Sequence, residues 1–582
     1  MERQDERRKM MHNDKPKIPY DDPLRHRKTP REMLKEPICT ECEACRDNII
    51  QVRRDTIAVI FVPGIMGSKL KDPKNAPVWN PDSSSFMAGL YMKATPDDRY
   101  KLLIAQPLTV MHEVTKDHAD YPKAEERGWG SVAWSFYGDL LTSIQNWATP
   151  LKVLLDLPVY AFGYNWLESN RVSGGKLREF IHTFKAEKVI LVTHSMGGLV
   201  ARWALGGDEA GDVAAKVLGV IHGAQPVHGA PVAYRRMIAG QEVDGFFNIQ
   251  GMLGAKVLGP DGPSITAIFP HAESALELLP SQHYRTNDGR REWLHVQDPG
   301  SPDGLQSYPK ADPYREIYAR SSHRDFWGMI HGGWFQPEPL EDRALGRVFH
   351  GEATEADPES ERQATLFLNR LEAVRNFHAT IGGYCHPRTM QLFSSGGQDT
   401  CSEVSWLTRD VTLTVARRPD DMRGDRDLRD RYFALRHIPG ILERSRGEYS
   451  EVRWVEADGS HGKTVPWDTP FAELDRGIRE GRRLILLRVS DFGDTEPGMA
   501  DTCNLGDGTV PLSSATGLQP DCTTWGNATH TLPFWQNAWH STIATGCPTN
   551  AKHSGFFDQS SIQTTINTIH NLCLGWLREE YD

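Results

Sequence analysis

The sequence is poor in the features that commit a chain to a specialised class. Nine cysteines in 582 residues are too few for a disulfide scaffold. Their one cluster, Cys39, Cys42 and Cys45 in "CTECEAC", lacks a nearby fourth ligand, which favours thiols or a local disulfide over a zinc or iron–sulfur centre. No metal and no cofactor is expected. The spaced pairs Cys385/Cys401, Cys503/Cys522 and Cys547/Cys573 are disulfide candidates if the protein works in an oxidising space. No apolar run reaches the length of a membrane span. The opening stretch "MERQDERRKMMHNDKPK" holds no apolar h-region, so no secretory signal peptide is expected. Positive charge is in deficit: 66 Lys and Arg stand against 77 Asp and Glu, a net charge of −11. That balance argues against nucleic acid as the main partner and gives no general attraction to anionic lipid. What remains is the composition of a soluble globular protein, with 39% hydrophobic and 25% charged residues and a mean hydropathy of −0.50. No internal repeat or low-complexity tract stands out.

Residues 1–50 are charge-dense and proline-punctuated, without helical or strand periodicity, and read as an arm. Order begins at "DTIAVIFVPGIMGSKL", residues 55–70, a buried strand broken by Pro63-Gly64. Further strands are expected at 157–166, 188–192 and 216–229, with a helix around 175–185. Short apolar strands alternating with amphipathic helices imply a parallel sheet covered on both faces. From about 231 to 375 that rhythm is lost and the composition is that of a cap or lid insertion. It returns weakly at Thr380–Tyr384. A β-rich insertion around 400–480 and a strand at 482–491 follow. A closing helix at 561–577 carries Ile562, Ile566, Ile569, Cys573 and Trp576 on one face. The core thus comprises 51–230 and 376–582.

One stretch carries chemistry. "VILVTHSMGGLVARWAL", residues 189–205, is an aliphatic strand, a turn holding Ser195, and a helix. That is the build of the G-x-S-x-G nucleophile elbow, with Thr193 in place of the first glycine. A catalytic serine needs a histidine to take its proton and a carboxylate to orient that histidine. Downstream, "NLGDGTVPLSSA" puts Asp507 in a glycine-bracketed loop; Asp491, Asp494 and Asp501 are the other acids in range. Four histidines follow Asp507: His530, His540, His553 and His570. His553 is preferred because it lies on a polar loop just before the final helix; His540 is the alternative. The tight loop "VPGIMGS" after the first strand is placed to supply one oxyanion N–H, Met196 the other.

Taken in order, "VFVPGIMGSKL…VW", "VYAFGYNW", "THSMGGLVAR", "HGAQPVHGAPVA", "GDGTVPLSSA" and a late histidine resemble the lecithin:cholesterol acyltransferase-like and PGAP1-like branch of the α/β-hydrolases. Within that branch they resemble the family-4 lipase effectors of bacterial type VI secretion. The resemblance implies an α/β-hydrolase fold with a mainly parallel sheet and large cap or lid insertions. It makes Ser195 the nucleophile, Asp507 the acid, His553 the base, and Ile65 and Met196 the oxyanion N–H donors. It implies phospholipase A1-type hydrolysis of membrane phospholipid, a cognate immunity protein, and a type VI secretion spike component as carrier. The protein would be made in the bacterial cytoplasm and act in the target-cell periplasm. A lid is expected at 244–264, where Phe246, Phe247, Met252 and Leu253 stand between glycines. Two other functions compete: an acyltransferase or general lipase of the same fold, and an inactive hydrolase fold used for binding.

Overall fold

The computed structural model describes residues 24–28, 48–52, 54–208, 210–239, 265, 267–297, 304–321, 325–330, 358–394, 400–416, 437–446, 449–490, 505–518 and 552–581. Within the stretch read as an arm, Leu24–Lys28 pairs in parallel with Asn48–Val52, so short strands form where the charge density suggested none.

The central sheet is built from β1 (Asp55–Val62), β2 (Leu155–Asp156), β3 (Val159–Ala161), β4 (Lys188–His194), β5 (Val217–Gly223) and, further on, Thr389–Leu392. Every pairing in it is parallel. β1 shows why these segments read as unbroken apolar runs. Its Ile57, Val59 and Phe61 pack on one face with the helix α1 (Trp134–Asn146) and the closing helix Gln559–Tyr581. Its Ala58, Ile60 and Val62 pack on the other with α2 (Asn170–Thr183) and α3 (Gly197–Gly206). All six are fully buried, and burying each large aliphatic is worth about 1.5–3 kcal/mol. The closing helix buries Ile562, Ile566, Ile569, Cys573 and Trp576, the five residues placed on one face by spacing.

The second sheet departs from the sequence-based division. Its order is β7-β6-β9-β12-β10-β11, with β6 (Leu294–Gln297), β7 (Leu305–Tyr308), β9 (Val404–Asp410), β10 (Glu451–Val455), β11 (His461–Thr464) and β12 (Arg483–Ser490); β8 is Thr389–Leu392 of the central sheet. β6 lies in the 231–375 stretch, yet it pairs in parallel with β9, Leu294 beside Val404. The cap and the β-rich insertion therefore share one sheet. β12, expected to be a core strand, belongs to it as well. α4 (Pro231–Ala239) opens this stretch. α5 (Pro358–Ile381) crosses the expected boundary at 375, burying Phe367, Leu371, Val374 and Phe377 in the main core. It also takes up Thr380, where a return of the strand rhythm was expected. The closing helix is α6. Among the described residues, no helix is long and apolar enough to cross a membrane.

Candidate active site

β1, β4 and β5 end side by side at the carboxyl edge of the central sheet, with Val62 beside Thr193 and Thr193 beside His222. In open parallel sheets that edge is where ligands bind. Ser195 follows β4 directly with φ 50°. A left-handed backbone costs an ordinary residue about 1–2 kcal/mol, and it persists where the surroundings over-determine it. Here the Ser195 N–H donates to the Gly223 carbonyl at 2.8 Å. The glycines after the serine answer to steric limits. A Cβ on Gly197 would lie 2.5 Å from the carbonyl oxygens of Val62 and Pro63, and one on Gly198 2.6 Å from the Gln225 side chain. Thr193, at the position of the missing glycine, is fully buried, and its hydroxyl lies 2.8 Å from His222 Nδ1.

The structure brings Ser195, His553 and Asp507 together although they are spread across the chain. His553 Nε2 is 2.8 Å from Ser195 Oγ and His553 Nδ1 is 2.8 Å from Asp507 Oδ2. A carboxylate against Nδ1 places the imidazole proton there, which leaves Nε2 to accept from the serine hydroxyl. All three side chains are buried. Asp507 Oδ1 accepts from the N–H groups of Thr509 at 3.0 Å and Val510 at 2.7 Å, so both carboxylate oxygens are engaged. The acid loop turns at Gly508, φ 89°, whose N–H donates to Thr400 Oγ1 at 2.5 Å. Asn287 straps its two ends, accepting from the Ser513 N–H at 3.0 Å and donating to the Leu505 carbonyl at 3.3 Å. The His553 N–H donates to the Asp507 carbonyl at 2.8 Å.

Residues 64–67 form a turn closed by a bond from the Gly67 N–H to the Gly64 carbonyl, 3.1 Å, with Met66 at φ 61°. Tyr164 Oη donates to the Pro63 carbonyl at 2.9 Å and Trp79 Nε1 to the Met66 carbonyl at 2.9 Å. These bonds are the work of the "GYNW" and "VW" blocks. A Cβ on Gly64 would meet Ser195 Cβ at 2.9 Å, so the turn lies flush against the serine. The backbone N–H groups of Ile65 and Met196 donate to no acceptor among the described residues. A cavity opens from Ser195, walled by Ile65, Met66, Val232, Met237, Phe269, Leu278 and Val510, with Arg236 the one charged residue among the described residues that line it.

His570 stands apart on α6, edge-on to Trp147 at 5.5 Å. His530 and His540, the acids Asp491, Asp494 and Asp501, and the lid candidates Phe246, Phe247, Met252 and Leu253 lie outside the described residues, as do Cys39, Cys42 and Cys45. Cys385 and Cys401 are disulfide-bonded. Cys573 is a free thiol buried in the core, which corrects its expected pairing with Cys547: its face of α6 packs on the sheet. Sequence reasoning passed over Tyr137, whose Oη is 3.0 Å from His194 Nδ1, and over His194 itself. Burial foremost, and then the neighbouring His553, push the His194 imidazole down to about 3, so it is neutral at neutral pH. Burial holds the Tyr137 phenol well above its usual value. Nothing local in the sequence marks Tyr137, Asn287 or Thr400, because their partners are distant in the chain.

Residues 158–283 match the lecithin:cholesterol acyltransferase family, a span that contains Ser195 but neither Asp507 nor His553. No curated protein matches the chain significantly. Among solved structures, it is similar to the crystal structure of a Tle4-Tli4 complex, at 22% sequence identity and a TM-score of 0.58, covering 90% of this chain and 99% of that one. The chain has an α/β-hydrolase fold, and its serine-bearing segment is similar to the lecithin:cholesterol acyltransferase family.

Proposed function

We propose that the chain is a serine ester hydrolase acting on membrane phospholipid. The observation that carries this reading is the continuous Ser195–His553–Asp507 relay at the mouth of an apolar cavity. Ser195 Oγ attacks the ester carbonyl while His553 Nε2 takes its proton, and Asp507 stabilises the imidazolium that forms. The Ile65 and Met196 N–H groups stabilise the oxyanion of the tetrahedral intermediate. Collapse of that intermediate expels the lysolipid alcohol, which leaves with the proton from His553, and Ser195 keeps the acyl chain as an ester. Water, activated by the same histidine, then releases the fatty acid. Cleavage at the first acyl position follows from the resemblance read in the sequence, as do export through type VI secretion on a spike component and action in the target periplasm. The likeness to one member of a Tle4-Tli4 complex supports a cognate immunity protein as inhibitor.

A fluorophosphonate probe tests the chemistry: covalent labelling of Ser195 is expected, and a chain that stays unlabelled while folded refutes it. Product analysis on phospholipids with distinct acyl chains at the two positions tests the regiochemistry. The match to an acyltransferase family favours one second reading, in which an alcohol intercepts the acyl-enzyme. Added alcohol would then yield a new ester at the expense of fatty acid.

A further inference from the structure

The proposed reaction has no step for His194, yet this histidine touches the site at three points. It immediately precedes Ser195, it is buried between α1 and the His553 turn, and both its ring nitrogens are engaged. Its Nε2 lies 3.0 Å from the His553 carbonyl oxygen. A carbonyl only accepts, so Nε2 carries the ring proton and Nδ1 is an acceptor. Tyr137 Oη, 3.0 Å from Nδ1, is therefore the donor there. The same Tyr137 oxygen accepts from the Gly64 N–H at 3.4 Å. The bonds run in one direction, from the Gly64 N–H through Tyr137 and His194 to the main chain of His553. Packing keeps the two rings in place: Tyr137 lies against Phe61 at 4.7 Å and against His194 at 5.7 Å between ring centroids.

We propose that His194 and Tyr137 are positioning residues that clamp the backbone of the base and tie it to the turn carrying the oxyanion donor; this rests on reading Ser195, His553 and Asp507 as the catalytic triad. The His553 main chain is held on one side by its own N–H to the Asp507 carbonyl and on the other by the His194 bond to its carbonyl. Asp507 thus takes hold of the N–H end of His553 and His194 of its carbonyl end. The second grip comes from the residue covalently joined to the nucleophile. Nucleophile and base are thereby referenced to the same point of the sheet edge. A displacement of about 1 Å at such a site costs on the order of 10²-fold in rate.

Three variants separate this role from packing: His194→Leu, which keeps bulk and loses the donor; His194→Gln, whose amide N–H can take the place of Nε2–H; and Tyr137→Phe. The assay is kcat and KM on a short soluble ester, with kcat expressed per site titrated by the fluorophosphonate. The expected result is a fall of about 30- to 100-fold in kcat per titrated site for His194→Leu with KM little changed, recovery to within about fivefold of the parent for His194→Gln, and a loss of about tenfold for Tyr137→Phe. A smaller titratable fraction with parental kcat per site would overturn the proposal, as would equal turnover for His194→Leu and His194→Gln. Should His194→Leu not fold, Tyr137→Phe decides, and parental kcat per site in that variant overturns the clamp. A parent chain that does not label at Ser195 refutes the triad reading instead.

Discussion

Thr193 stands where the elbow pattern has glycine, and a merely tolerated substitution predicts that restoring the glycine does no harm. The structure predicts otherwise. The Thr193 hydroxyl bonds His222 Nδ1 at 2.8 Å in a pair that is almost solvent-free. Burial foremost, with Arg202 and His386 adding to it, pushes His222 down to about 3, so the imidazole is neutral and the bond joins two uncharged groups. Thr193→Gly leaves that nitrogen unsatisfied, at about 1–3 kcal/mol. It also removes a buried methyl, about 0.8 kcal/mol, and puts glycine into a strand, about 0.5–1 kcal/mol. The sum is about 2–5 kcal/mol. Thr193→Val keeps the shape and loses only the bond, so it should cost about 1–3 kcal/mol. Native-state hydrogen exchange reads these values as the opening free energy of amides in β4 and β5. Turnover per titrated site should change little, since the hydroxyl faces His222 and not Ser195. Exchange in Thr193→Gly as slow as in the parent would refute the reasoning and show that position 193 asks only for a small residue.

Ser195→Ala and His553→Ala should each lower ester turnover by about 10⁴-fold or more, because the three groups act as a unit, while His570→Ala, on the far helix, should stay active; esterase assays on the folded variants decide. Gly64→Ala places a Cβ 2.9 Å from Ser195 Cβ and should reduce kcat by about 10²-fold, measured beside circular dichroism to show an intact fold. Burial raises the Glu277 carboxyl from its ordinary 4.5 to about 8, against the opposing hydrogen bonds of Asn170 and Ser169. A raised carboxyl favours the folded state below 4.5, and this contribution is lost as pH rises toward 8, so Glu277→Gln should flatten stability against pH across that window; denaturation midpoints at several pH values check it. Trp406→Phe removes the bond from Trp406 Nε1 to Tyr234 Oη, 2.9 Å, beneath the helix that walls the cavity, and should raise KM for long-chain esters while sparing kcat on short ones.

Legibility followed how local each signal was. The elbow was readable because its strand, serine and glycines are contiguous, and β1 because a strand buried on both faces leaves an unbroken apolar run. The second sheet was not, since Leu294 and Val404 pair across a stretch that includes the whole of α5. β12 misled for a related reason. A continuous run such as "RLILLRVS" states that both faces are covered, not which sheet the strand joins. The charged start hid Leu24–Lys28 and Asn48–Val52, whose pairing answers to each other and not to any alternation within either segment.

The same distinction separates the proposed chemistry from what holds it. Nucleophile, acid and base each demand a particular residue type, so chain order and a turn motif reduced 22 histidines to four and favoured the one that contacts Ser195. Their supports demand only a donor or an acceptor in the right place, which Thr400, Asn287 or Tyr137 can provide without any motif. The supports also come from different layers of the molecule. Ser195 and His553 are referenced to the central sheet, through Gly223 and His194. The cavity wall on α4 is referenced to the second sheet, through Tyr234 and Trp406. In the proposed reaction the nucleophile and base thus answer to the central sheet and this part of the cavity wall to the second, so substitutions around Trp406 should move KM and chain-length preference before they touch kcat.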